Sequence, residues 1–313
     1  MNHMHLFLAK RILITISYTE QFSFPLSSQE LYLRLAVDFS VSKKDFTKSI
    51  LFLLKNNFIT YYDRHFFIFG LDIKKQKELL LTKKNRALFA KKKWQELALF
   101  LKFAKFIPFI SAIAVTGSLA VNNTLRDDDI DFLIVTKANR LWITRIIIVA
   151  LASIFGKRRS FAKEEKNSWC FNLWVEETDL KMPSKSRSAY EAYEVAQAVW
   201  VLDREKIKIK FKKLNKWAKK FVFNYYHLNK STQNVAPIHT SNANYLSIFA
   251  EAFVISQLLS LINFLLFLLQ YMYMKPHMTR EKVSKSHAFF HPRDTKGQID
   301  VNWKKSLSRV LKV

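Results

Sequence analysis

Residues 116 to 136 read TGSLAVNNTLRDDDIDFLIVT. Four carboxylates, Asp127, Asp128, Asp129 and Asp131, fall within five positions and run straight into an apolar segment. Like charges this close repel one another unless something cationic sits among them. Asp129 and Asp131 stand two apart at the entrance to a strand pattern, so period-two alternation puts both on one face. Paired carboxylates that offer only oxygen suit a hard divalent cation, Mg2+ first and Mn2+ as the other candidate. Twelve residues before Asp129 come Gly117 and Ser118, where one strand pattern ends and a helix is expected to begin. Glycine lets a backbone approach a ligand closely. The free N–H groups of the turn, with the Ser118 hydroxyl, can hold phosphate oxygens. One element would grip phosphates and the other the metal that bridges them.

Other uses of these residues fit less well. Asp127, Asp129 and Asp131 could open an EF-hand loop, but that loop needs Gly where Phe132 stands and lacks its closing Glu. A P-loop needs a Gly-Lys-Ser/Thr ending, and none occurs. An acidic surface turn is the plain alternative.

The elements that must position these groups follow from the flanking pattern. ISAIAVTGS reads as a buried strand ending in a tight turn, and IDFLIVTK as a second strand. NRLWITRIIIVALASIFG reads as a helix stopped by Gly156 at its C′ position. WCFNLWVEE reads as a third strand, and residues 188 to 228 as helical. Strands alternating with helical segments point to an α/β or α+β sheet domain.

Upstream, residues 4 to 18 read as a helix. Ser27 with Glu30, and Ser42 with Asp45, mark two further helix starts. FITYYDRHFFIFG then gives two aromatic strand patterns around Asp63-Arg64. Three helices and a hairpin predict a winged helix, with Lys43, Lys44, Lys48 and Lys55 on its third helix. Residues 74 to 105 form a basic helix with eleven Lys or Arg against two Glu. It reads as a solvated face, or as a phosphate path through Lys91, Lys92 and Lys93.

Downstream, residues 231 to 243 read as a polar linker. Ala252 to Met274 carries no charge over 23 residues, long enough to span a bilayer. Ser256, Gln257, Ser260, Asn263 and Gln270 fall to one side of it, and we expect it to be buried in a soluble C-terminal helical region. A membrane attachment through residues 252–274 is the alternative. His287 and His291 have helical i,i+4 spacing, but Pro292 follows and no third metal ligand is evident. The expected division is 1–72 winged helix, 73–108 basic connector, 109–180 sheet domain, and 181–313 helical region with an irregular tail.

The formal net charge is +26, with 37 lysines against 14 arginines. Composition bias accounts for much of the lysine, but the deficit of acids points to a polyanionic partner: nucleotide, nucleic acid or anionic membrane. The single cysteine, Cys170, excludes an intrachain disulfide and a cysteine-based zinc site. It suits a reducing cytoplasm, and the N-terminus lacks the basic start of a signal peptide. Only four glycines occur, against a usual share of roughly 7%, so each is expected to hold a backbone position that other residues resist.

GSLAVNNTLRDDDID resembles the signature of the DNA polymerase beta–type nucleotidyltransferase superfamily over roughly residues 110 to 176. That pattern is a strand, Gly-Ser, about ten residues, and Asp-x-Asp entering the next strand; Gly117, Ser118, Asp129 and Asp131 match it, and Asp127 matches a common extra acid. The whole chain is also similar to bacterial proteins in which a winged helix precedes this domain, and the expected fold is α+β: an N-terminal winged helix, a central nucleotidyltransferase mixed sheet and a C-terminal helical region. The superfamily resemblance implies catalytic, metal-holding roles for Asp129 and Asp131, and nucleotide binding by Gly117 and Ser118. The implied reaction moves a nucleoside monophosphate from an NTP to an acceptor hydroxyl, with the acceptor undefined. Active members add a third carboxylate from a later strand. Here that strand carries Asn172, an uncertain third position, with Glu176 four residues on. Asn172 favours an alternative: a weakened nucleotide sensor or DNA-binding regulator.

Overall fold

The computed structural model describes residues 3–158, 166–183, 187–228 and 253–290, with positions 297–299, 301, 303 and 308 beyond them. The expected linker at 231–243 and His291 lie outside the described residues.

The N-terminal module holds α1 (His3–Glu20), β1 (Leu26–Ser27), α2 (Ser28–Arg34), α3 (Lys43–Lys55), β2 (Ile59–Tyr62) and β3 (His65–Ile68). The three helices and hairpin expected within residues 4 to 70 are thus present, with a short extra strand. Local chemistry sets their limits. The Ser27 side chain accepts the Glu30 N–H at 3.3 Å, while Glu30 takes the Ser27 N–H at 2.8 Å, a reciprocal cap. Ser42 caps α3 through the Asp45 N–H at 3.1 Å. Asp63 and Arg64 both adopt positive φ, 43° and 63°, as a two-residue hairpin turn requires. Leu8, Ile12, Ile16, Leu31, Ile50 and Leu53 form the module's core.

Helix α4 (Ile73–Ala104) has 32 residues, about 48 Å of length. Its basic residues are not all solvated. Lys83 donates to the Pro25 carbonyl and to Glu30, and Arg86 to Phe22 and Asn123, so α4 ties the first module to the next.

That next unit is built on β4 (Ile110–Val115), α5 (Gly117–Ala120), β5 (Ile130–Thr136), α6 (Leu141–Ile154) and β6 (Trp169–Glu176). Then follow α7 (Ala189–Gln197), β7 (Val199–Asp203), α8 (Ile207–Leu214), a 3₁₀ turn at Lys216–Lys220 and α9 (Phe223–Leu228). Helix α10 (Phe253–Met274) precedes β8 (Lys282–Val283) and β9 (His287–Phe289). The strand order is β7-β4-β5-β6-β9-β8. Among the described strands of this sheet, β5 and β6 run parallel and the other pairs are antiparallel, giving a mixed sheet.

Period-two alternation splits β5 between two layers. Ile130, Phe132 and Ile134 pack with α4 and α6, through Phe100, Trp142 and Ile148. Leu133 and Val135 pack on the opposite face, with Ile207 and Phe211 of α8. Asp131 therefore points to the face that Leu133 and Val135 share. Gly156, at φ 62°, ends α6: its N–H donates to Ser153 and that of Lys157 to Ala152, a complete Schellman motif.

Three expectations need correction. Residues 188 to 228 are not all helical, because Val199–Asp203 pairs with β4 and completes the sheet edge. A run of buried β-branched and aromatic residues reads equally as helix or strand until a partner edge exists. The tail is not wholly irregular, since β9 pairs with β6 and carries His287, whose Nδ1 contacts Asp179 at 2.9 Å. Among the described residues, helix α10 is not enclosed by other helices either: it lies along α6, and most of its apolar residues are exposed.

Candidate active site

The four clustered carboxylates have four different partners. Asp127 is exposed and pairs with Lys166 at 2.9 Å, a hydrogen bond that holds its carboxyl below the usual range. Asp128 is turned into its own loop: Oδ2 accepts the Leu125 N–H at 2.7 Å, the Ser118 hydroxyl at 3.2 Å and the Thr124 hydroxyl at 3.3 Å. Asp129 Oδ1 accepts the Ser168 N–H at 2.9 Å. Asp131 Oδ1 accepts the Asn172 amide at 2.9 Å. Local N–H and O–H donors thus absorb much of the crowding.

The turn and the strand meet at Gly117. The Thr116 N–H donates to the Asp131 carbonyl at 3.0 Å, bringing the end of β4 onto the start of β5. Gly117 has φ 64°, and a Cβ built on it would lie 2.5 Å from Asp131 Oδ2. No other residue fits there without moving that carboxylate. The expected helix after Gly117 is a single four-residue turn, α5.

Both groups expected to hold phosphates already donate to carboxylates. Ser118 donates to Asp128, and the Gly117 N–H donates to Glu194 Oε2 at 3.3 Å. Glu194 comes from α7 and was not foreseen in the sequence. Burial, with the neighbouring Asp131 charge as the second cause, raises its carboxyl to about 7. Gln197 donates to its other oxygen at 2.6 Å. The only sequence signal was an acid in a short helix, and nothing local showed that α7 returns to the β4–β5 turn.

Asn172 stands beside Asp131, and its Oδ1 is buried without a hydrogen-bond partner. Glu176 is elsewhere. It is buried against the N–H groups of Asn139, Arg140 and Leu141 at the start of α6, and burial raises its carboxyl. It serves the helix start, which removes it as the substitute third carboxylate. Lys93 is likewise structural: Nζ donates to the Asp128 carbonyl and to Asn167 Oδ1, while Lys91 and Lys92 are exposed. Lys93 is the cation beneath the acidic loop, and burial lowers its pKa.

The donor set fits a hard divalent ion in kind. Asp129 and Asp131 offer carboxylate oxygens, and the unpartnered Asn172 Oδ1 adds a neutral oxygen beside them. Among the described residues no three carboxylates, histidines or cysteines cluster as a closed metal cage.

Compared with known families, residues 97–222 match the nucleotidyltransferase domain model. No curated protein and no solved structure matches the chain. The matched span begins in α4 and ends just before α9, so it takes in β4 to β7 with α7 and Glu194. The glycine turn pressed on a strand carboxylate lies inside that span, and the match of residues 97–222 is consistent with a nucleotidyltransferase domain of the polymerase beta type; such domains generally use divalent metal ions.

Proposed function

We propose that the protein is a Mg2+-dependent nucleotidyltransferase that moves a nucleoside monophosphate from an NTP to an acceptor hydroxyl. The acceptor hydroxyl gives its proton to water as its oxygen bonds to the α-phosphorus, the bond from that phosphorus to the bridging oxygen breaks, and pyrophosphate leaves with the electron pair. The contact of Gly117 with Asp131 carries this reading. It sets backbone N–H groups beside a carboxylate, the pairing that a metal–triphosphate complex needs. Asp129 and Asp131 would hold the metal, which when bound neutralises triphosphate charge and aligns the attack. The Gly117 N–H and Ser118 hydroxyl would turn from Glu194 and Asp128 to the β- and γ-phosphates.

The test is incubation with each labelled NTP, Mg2+ or Mn2+, and cell extract, followed by a search for labelled product. Asp129→Asn and Asp131→Asn should each lower transfer about 10²-fold or more while the fold persists, because a fixed charge is lost where transition-state charge develops. If Asp129→Asn binds Mg2+-NTP as well as the unaltered protein, those carboxylates do not hold the metal.

Asn172 supports a second reading, a nucleotide sensor or DNA-binding regulator. A neutral amide beside Asp131 cannot accept the hydroxyl proton. Tight Mg2+-NTP binding with no transfer to any acceptor would favour it. Lys43, Lys44 and Lys48 lie exposed on α3. Under this reading their replacement by Glu abolishes duplex DNA binding and reduces its salt dependence.

A further inference from the structure

Helix α10 is inside out for a protein in water. A surface helix ordinarily buries its apolar stripe and exposes its polar one. Here the polar stripe faces the protein. Arg140 donates to the Ser256 carbonyl at 3.1 Å and to the hydroxyls of Ser256 and Ser260 at 3.0 Å each. Asn263 Oδ1 accepts the N–H groups of Trp142 and Ile143, at 2.9 and 3.1 Å, at the start of α6. Gln270 accepts from Arg145 at 2.6 Å and donates to the Trp142 carbonyl at 3.1 Å. Gln257 alone of the five expected polar positions is exposed.

The outward stripe is Ile255, Leu258, Leu261, Leu265, Leu269 and Met272, at three- and four-residue spacing within the 22-residue helix. Leu261 is 55% exposed and Leu269 64%. The adjoining α6 adds exposed Ile146, Ile147 and Ile154. An apolar face of this length, about 27 Å, marks a contact surface.

We propose that α10 lies in the plane of an anionic lipid bilayer, its outward stripe among the acyl chains and its polar stripe holding the nucleotidyltransferase domain at the membrane surface. Charge selects lipid over a second copy of the chain. The end of the stripe is followed by Lys275, His277, Arg280, Lys282 and Lys285, with Glu281 the one acid among them. Lys285 Nζ lies 4.5 Å from the Phe264 ring centre, a basic head over an apolar body. A second copy would bring the same cations to this edge, and +26 overall opposes self-association. Anionic headgroups complement it, and basic side chains beside an amphipathic helix are the usual signature of in-plane binding.

The hydrogen bonds also favour lying over spanning. To cross the bilayer, α10 would have to release Arg140, Arg145 and the α6 N–H groups, leaving Ser256, Ser260, Asn263 and Gln270 in hydrocarbon. Moreover, β8 and β9 return the chain at once to the edge of β6.

The test uses full-length protein and sedimentation with vesicles of phosphatidylcholine and phosphatidylglycerol at 3:1. The protein should bind, and pure phosphatidylcholine should bind it at least tenfold more weakly. Leu261→Glu/Leu265→Glu/Leu269→Glu should weaken binding at least tenfold with an unchanged thermal transition, since these side chains are exposed. Should that variant unfold, Lys275→Glu/Lys282→Glu/Lys285→Glu provides the same reading by removing the anionic preference. A bimane on Leu265→Cys, in a Cys170→Ser background, should be quenched more by shallow than by deep nitroxide lipids. No sedimentation, equal sedimentation of both variants, or deeper quenching at the bilayer centre would overturn the proposal. So would a lipid-free dimer that the leucine variant converts to monomer.

Discussion

The side-chain amide of Asn172 donates to Asp131 Oδ1 at 2.9 Å across the parallel β5–β6 pair. Where the superfamily resemblance leads one to expect a carboxylate, a neutral donor steadies the one that remains. Asn172→Asp replaces that donor with a like charge. Repulsion should then lower stability without metal, and Mg2+ should restore it. The expected outcome is a larger Mg2+-induced rise in melting temperature than for the unaltered protein, because a ligand that binds only the folded state stabilises it by mass action. A weakened transferase should also gain activity from this change. Equal Mg2+ responses would separate position 172 from the metal.

Gly117 should tolerate no side chain. At φ 64°, alanine is strained, and its Cβ would meet Asp131 Oδ2. That oxygen can swing away, so the cost in stability should stay modest, about 1–3 kcal/mol. Function should suffer more, because the swing moves a proposed metal ligand. Gly117→Ala should unfold only slightly earlier in urea yet lose nucleotide binding by calorimetry. Retained binding would dissociate the glycine from the nucleotide site.

Glu194 should make stability depend on pH. Its carboxyl is raised to about 7, so the folded chain keeps a proton that the unfolded chain releases. A group raised in this way makes stability fall as pH rises from the usual carboxylate range through about 7. Above that range the loss is complete, on the order of 3 kcal/mol for a shift of this size. Glu194→Gln keeps an acceptor for the Gly117 N–H and carries no charge. Denaturant titrations without metal or nucleotide, from pH 4 to 8, should show a fall in the unaltered protein that the variant lacks. Parallel curves would show that Glu194 is not held protonated.

Asn263→Ala should test how α10 is held. The start of α6 has no side-chain cap of its own, and Asn263 reaches across from α10 to accept two of its N–H groups. Leaving those donors unsatisfied should cost about 1–2 kcal/mol. Hydrogen exchange should quicken first in α6 and α10, with the sheet unaffected. Protection unchanged in both helices would mean that this contact contributes little.

The local signals were legible in the sequence because they act over a few residues. The caps at Ser27 and Ser42, the glycine stop at Gly156 and the apolar strand run of β5 each need only neighbours within one turn or strand. The spacing from Gly117 to Asp131 belongs to the same class, since one strand, one turn and the next strand suffice to bring them together. What the sequence left open required distant segments to meet. Residues 199–203 became a strand only because β4 offered an open edge. Glu176 and Glu194 look alike as isolated acids, yet one supports the start of α6 and the other reaches the Gly117 N–H from α7. Lys93 reads as one more surface lysine until the loop of Asp128 closes over it. The composition of α10 reveals its length and its polar stripe, but not which stripe turns inward. That choice follows from Arg140, Arg145 and the Trp142 and Ile143 N–H groups of α6, for which the polar side of α10 supplies hydrogen-bond partners.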